Sequence, residues 1–160
     1  METEFKLLVN KHKGLLFKVC NLYVHDPEDR KDLFQEILIQ LWKSFHNFQN
    51  KSTLTTWIYK VALNTAISHF RKESRRPVSQ SLSEMSIDIP DFQDDTTEQL
   101  GKMHEAILQL TEIERAIIFL YFEEKTYEEM AELLGIRTSH LGVKLNRIKQ
   151  KISKIVKENT

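Results

Sequence analysis

The chain has 160 residues, 41% of them apolar, but only four Gly and three Pro. That is enough apolar side chain for a core and too little turn chemistry for the many short strands of an all-β fold, while no run approaches the roughly 18 apolar residues of a membrane span. An all-α fold is expected, and the 23 basic and 23 acidic side chains cancel, so the total charge alone predicts no attraction to nucleic acid or membrane.

The opening METEFKLLVNKHKG lacks the apolar stretch and cleavage site of a secretory signal, so a cytoplasmic location without membrane insertion is expected. Phe5, Leu8, His12, Leu16, Val19 and Tyr23 recur at steps of three or four, which predicts one amphipathic helix over 5–23. Cys20, the one cysteine, sits among Leu16, Val19 and Tyr23; it can form no internal disulfide and reads as a small buried hydrophobe. Asp26-Pro27-Glu28-Asp29 opens a second helix with a capping acid, Pro in the first turn and acids on the helix dipole. Its apolar set is Phe34, Ile37, Leu38, Leu41, Trp42 and Phe45, and Asp32, Gln35, Glu36, Gln40 and Lys43 lie outward.

Residues 46–56 form a polar, Thr-rich break in which Ser52 or Thr53 can cap the helix that follows. That helix runs to about residue 72, with Leu54, Trp57, Ile58, Val61, Ala62, Ala66 and Phe70 inside. Thr56, Lys60, Asn64, Arg71 and Arg75 line its outside. Cations there can bind phosphates while amides and hydroxyls bond base edges, though a solvated basic face has the same pattern. None of the six His is spaced with another His or with Cys as a metal site requires. No phosphate-binding Gly loop or catalytic constellation is found, so no cofactor and no enzymatic activity are expected.

Residues 1–76 carry a net +5, whereas 77–101 contain six acids and no Lys or Arg. With two Pro and four Ser, the second stretch reads as an acidic linker over 77–99. About 20 extended residues would let the flanking domains stand as much as ~66 Å apart. Past the linker, Leu100, Met103, Ile107 and Leu110 line a helix, and Thr111-Glu112-Ile113-Glu114 is a capping box that opens the next, with Ile113, Ile117 and Leu120 inside. Thr126-Tyr127-Glu128-Glu129 is a second box, ahead of Met130, Ala131, Leu133, Leu134 and a Gly135 suited to a helix C-terminus. Thr138 or Ser139 caps a last helix with Leu141, Leu145, Ile148, Ile152 and Ile155 inside and Lys144, Arg147, Lys149, Lys151 and Lys154 outside. Net charge is −5 over 102–135 and +6 over 136–160. A short acidic helix, a Gly turn and a basic helix make a helix-turn-helix pattern.

In this arrangement the chain resembles the sigma factors of bacterial RNA polymerase, specifically the short two-domain extracytoplasmic-function (ECF) type of the sigma-70 family. DLFQEILIQLWKSFHNFQ (32–49) and TWIYKVALNTAISHFRK (56–72) look like region 2, and LTEIERAIIFLYFEEKTYEEMAELLGIRTSHLGVKLNRIKQKI (110–152) looks like region 4. The resemblance implies a region 2 domain over 1–76, the linker over 77–99 and a region 4 domain over 100–160. It implies that Asp32, Gln35 and Glu36 grip the β′ clamp helices of core polymerase. Asn50, Lys51, Thr56, Lys60, Asn64 and Arg71 would engage and open the minus-10 promoter element, and Arg137, Ser139, His140, Lys144, Asn146 and Arg147 would read the minus-35 element in the major groove. Contact with the β flap and control by an anti-sigma factor are implied as well.

The acidic linker would thread toward the polymerase active centre and compete with DNA for the basic faces until then. The chain departs from the family at Ser68, where Asp is common, and at Gly142 and Val143, where a basic residue and Ser are common. Gly142 costs about 1 kcal/mol inside a helix, which points to close backbone approach to DNA or to a tolerated defect. Two other readings compete: a stand-alone helix-turn-helix regulator, which leaves the N-terminal half without a role, and a helical adaptor with a basic tail.

Overall fold

The computed structural model describes residues 2–48, 53–74 and 97–158, and every regular element among them is an α-helix. The helix expected over 5–23 is two, α1 (Glu2–Lys11) and α2 (Lys13–Tyr23). The ladder continues across the break, from the His12 N–H to the Leu8 carbonyl at 3.1 Å and from the Leu16 N–H to the His12 carbonyl at 3.2 Å. His12 itself leaves helical angles, at φ −108° and ψ 16°. Its ring Nδ1 lies 3.0 Å from the Leu8 carbonyl, so ring and backbone share one acceptor, and the nearby Gly14 adds little helix preference to resist the distortion. The break lets α1 turn its Phe5 edge-on to Trp42 and Phe45, with ring centroids 5.0 and 5.5 Å apart.

Helix α3 (Pro27–Phe45) starts as its sequence dictates, with the Asp26 carboxylate accepting the Asp29 N–H at 3.2 Å. Helix α4 (Leu54–Ser74) is capped by Thr53, whose hydroxyl accepts the Thr56 N–H at 3.1 Å. Leu16, Val19 and Cys20 of α2, Leu33, Ile37 and Leu41 of α3, and Ile58, Ala62, Leu63 and Ala66 of α4 are buried together. Burial pushes the Cys20 thiol up to about 11, against a lesser opposing pull from Arg30, so it stays an unreactive core group. Leu54, expected inside, is 36% exposed at the helix start, and Trp42 stands 38% exposed between Phe5 and His46. In exchange Tyr59, Leu63 and Ile67 are buried, because α4 is covered on a second side by helices from the C-terminal half.

That half begins at α5 (Thr97–Leu108), so residues 97–99, expected as the end of the linker, are the first turn of a helix; residues 77–96 lie outside the described residues. Helix α6 (Glu112–Phe122) has the full capping box: Thr111 accepts the Glu114 N–H at 3.2 Å and Glu114 accepts the Thr111 N–H at 2.9 Å. Helix α7 (Tyr127–Leu134) has only the forward half, in which Thr126 accepts the Glu129 N–H at 3.1 Å. Gly135 ends it at φ 69°, in the left-handed region that favours glycine. Helix α8 (Thr138–Glu158) starts at Thr138 itself, so Thr138 and Ser139 lie in its first turn instead of capping it. Leu141, Leu145, Ile148 and Ile152 pack on Ile117 and Leu120 of α6 and Met130 and Leu133 of α7.

The two halves, whose relative placement the sequence left open, share one continuous apolar core, with a buried cation at the join. Arg115, at the start of α6, donates to the Leu110 and Leu108 carbonyls of its own half, at 3.2 and 2.8 Å, and to the Leu22 carbonyl of α2 at 3.2 Å. Its guanidinium lies 4.7 Å from the Phe70 ring centre and 5.8 Å from that of Tyr23. It therefore satisfies carbonyls near the ends of α2 and α5 at once, groups that no intrahelical N–H can reach. Along the same join Tyr23 donates its hydroxyl to the Glu112 carbonyl at the start of α6, and at its far end Tyr59 donates to the Glu123 carboxylate at 2.8 Å and Lys18 pairs with Glu123 at 3.2 Å.

Candidate nucleic-acid interface

Three polar surfaces carry the residues singled out in the sequence. On α3, Asp32 and Gln35 are exposed, and Glu36 is half-exposed with its carboxylate 3.6 Å from His69 Nδ1. Ile39, 52% exposed, extends this stripe one turn further. The spacing from Asp32, Gln35 and Glu36 to Ile39 and Lys43 keeps all five on one face. Ile39 was missed in the sequence, although it lies out of phase with the buried Ile37 and Leu41.

On α4, Lys60 and Asn64 point outward, whereas Thr56 is partly buried in the capping turn and receives the Thr53 hydroxyl at 2.8 Å. Arg71 is on the same stripe, but its Nε is 3.0 Å from the Glu112 carboxylate. Asn50, Lys51 and Arg75 lie outside the described residues. Between α3 and α4 is a hollow of about 310 Å3 whose lining includes Gln40, Lys43, Ser44, Asn47 and Asn64. These amide donors and acceptors beside an ammonium group suit a nucleotide, whose base edge needs bonds of both senses and whose phosphate needs a cation. Of them, only Asn64 was assigned a DNA contact from the sequence; the others come beside it only when α3 and α4 pack together.

The third surface is α8. Leu141, Leu145 and Ile148 fasten it to α6 and α7, leaving Arg137, Ser139, His140, Lys144, Asn146 and Arg147 exposed. Among the described residues these six have no side-chain hydrogen bond or ion pair within the protein. Cations further along are engaged: Lys149 sits 4.0 Å from the Tyr121 ring centre and Lys151 pairs with Glu114 at 3.1 Å. A side chain at Gly142 would meet the Tyr127 ring at 3.7 Å. That is an ordinary contact distance, so the position borders α7 and packing there does not require glycine.

Electrostatics at the join of the halves was not anticipated. The N–H at its own helix start, then Arg71, hold the Glu112 carboxyl below its ordinary value. Burial, then the neighbouring His25, pull His104 below the usual imidazole value, and Arg30 and Arg115 act in the same direction against Glu105. The sequence did carry one signal, since Arg115 is a lone cation directly before the apolar run Ala116–Leu120.

Residues 8–76 match the family described as Sigma-70 region 2, and residues 100–158 the one described as Sigma-70, region 4. The RNA polymerase sigma-H factor of Pseudomonas aeruginosa is 26% identical, over 94% of this chain and 84% of that protein. The RNA polymerase sigma factor SigV of Bacillus subtilis is 29% identical over 87% and 82%, and the ECF RNA polymerase sigma factor SigX of the same organism 29% over 92% and 84%. Among solved structures, the fold is similar to RpoE in its complex with the anti-sigma factor NepR from Bartonella quintana, with a TM-score of 0.74, 21% identity and coverage of 96% and 97%. It is also similar to CnrH in complex with the cytosolic domain of CnrY, with a TM-score of 0.72, 17% identity and coverage of 100% and 92%.

Proposed function

The chain belongs to the extracytoplasmic-function group of the sigma-70 family and is a promoter-directing sigma factor, and from that premise we propose how its surfaces divide the work. The α3 face of Asp32, Gln35 and Glu36 grips the β′ clamp helices of core polymerase. The α4 face, with Lys60, Asn64 and Arg71 and the preceding Asn50, Lys51 and Thr56, engages the minus-10 element as it opens. Unstacking a base there costs a few kcal/mol, offset by its capture in a protein pocket. The α8 face of Arg137, Ser139, His140, Lys144, Asn146 and Arg147 reads the minus-35 element in duplex form.

The first 76 residues thus act as the region 2 domain and the last 61, from residue 100, as the region 4 domain, which also meets the β flap. The protein acts in the cytoplasm as a specificity subunit and not as an enzyme, joins the nucleoid within holoenzyme, and is controlled by an anti-sigma factor. The observation that carries this reading is the exposed, unpaired cation-and-amide face of α8, held outward by its own apolar side, in a chain that also matches region 2.

Transcription reconstituted from purified core polymerase and this chain on its source genome tests it: new start sites are expected, and their complete absence overturns the reading. Within that assay Glu36→Ala should weaken core binding more than minus-35 dependence, and Arg147→Ala the reverse. Equal losses in both measures would refute the division.

A further inference from the structure

Val143 stands 53% exposed in α8. At 100° per residue it lies roughly 190° round the helix from the mean direction of Leu141, Leu145, Ile148 and Ile152, opposite the packed side. Its neighbours on that face are Ser139, His140, Asn146, Arg147 and Gln150, all polar and exposed. Val143 is the one exposed large apolar side chain of α8. Neither packing nor intrinsic preference accounts for it, since a β-branched residue in an exposed helix position is slightly unfavourable.

A valine can neither donate nor accept a hydrogen bond, so in a major groove it cannot read the edge of guanine, adenine or cytosine by bonding. The thymine C5-methyl is the apolar feature that the groove offers. Gly142, directly before it, lies beside the Tyr127 ring on the side of α8 that meets α7, which leaves Val143 as the reading residue of the pair. We propose that Val143 is a specificity-determining residue that recognises a thymine methyl group within the minus-35 element. The proposal rests on the reading of α8 as the minus-35 helix and adds to it the chemistry of one base.

The test uses holoenzyme assembled from core polymerase and the full chain. A promoter library randomised upstream yields the preferred minus-35 duplex, and each thymine in it is then replaced singly by deoxyuridine, which removes only the methyl group. One such replacement should weaken holoenzyme binding about three- to fivefold, the worth of one buried methyl-sized group. With Val143→Ser or Val143→Asn that same replacement should change affinity by less than about 1.5-fold, because the apolar partner is gone. The proposal is overturned if no deoxyuridine matters to the parent chain, or if the variants lose as much as the parent does. Failure of the underlying reading is distinct: selection would then return no upstream element, or Arg147→Ala would leave upstream preference intact.

Discussion

Replacing Arg115 by Met keeps most of its volume and removes every donor, so it isolates what the guanidinium contributes at the join. The change strands three carbonyls, those of Leu22, Leu108 and Leu110, bonded at 3.2, 2.8 and 3.2 Å, and ends the contact with the Phe70 and Tyr23 rings. Hydrogen bonds to a charged group contribute about 1.5–3 kcal/mol each. Carbonyls at helix ends regain some water once the side chain no longer covers them, so the net loss lies below the sum, at about 3–5 kcal/mol. For a chain of this size that lowers Tm by roughly 6–20 °C. Arg115→Lys should fall between, since one ammonium cannot span three acceptors as a planar fork does. Arg71→Ala breaks only a partly exposed ion pair and should cost less than about 1 kcal/mol. Circular dichroism melts of the full chain measure all three. An Arg115→Met chain within about 1 kcal/mol of the parent would refute the claim that this side chain fastens the halves together.

Two smaller perturbations follow from local geometry. Gly135→Ala meets no atom within 4 Å, but the residue sits at φ 69°; the cost is conformational, about 1 kcal/mol or a Tm loss of roughly 2–4 °C, and an unchanged melt would contradict it. For pH, burial and His25 hold His104 below its ordinary value of 6.5, so below that pH the unfolded chain takes up a proton that the folded chain resists. Its contribution is therefore fully present above pH 6.5 and declines as pH falls through that value toward the lower folded one. Glu112 has the opposite chemistry and a separate window: its depressed value stabilises the fold above 4.5, and the contribution is lost only in more acid solution. Urea midpoints of the parent and His104→Gln should diverge with pH between about 7.5 and 5.5; parallel curves would rule the effect out.

Helix chemistry is local, which is why much of this molecule is legible in one dimension. The Asp26 cap with Pro27 behind it, the Thr111–Glu114 box and the left-handed Gly135 each depend on residues within one turn, and all three stand where the sequence puts them. The apolar stripe of α8 likewise determines, without further help, that Ser139, His140, Lys144, Asn146 and Arg147 face outward. What local pattern could not supply is the second partner of an element already partnered. Tyr59, Leu63 and Ile67 lie outside the one stripe expected to be buried on α4 and are buried because α6 and α7 cover another side. The hollow beside Asn64 needs α3 to bring Gln40, Lys43 and Asn47.

The acidic and basic segments cancel to zero net charge, and the sequence by itself shows that they do so as two basic ends around an acidic middle. Only the tertiary structure decides which of those charges meet. Arg71 and Glu112, 41 residues apart, pair across the join, and Arg115 is satisfied by carbonyls from both halves. Such pairings depend on how two packed bodies are placed against each other, and no periodicity along a chain encodes that placement.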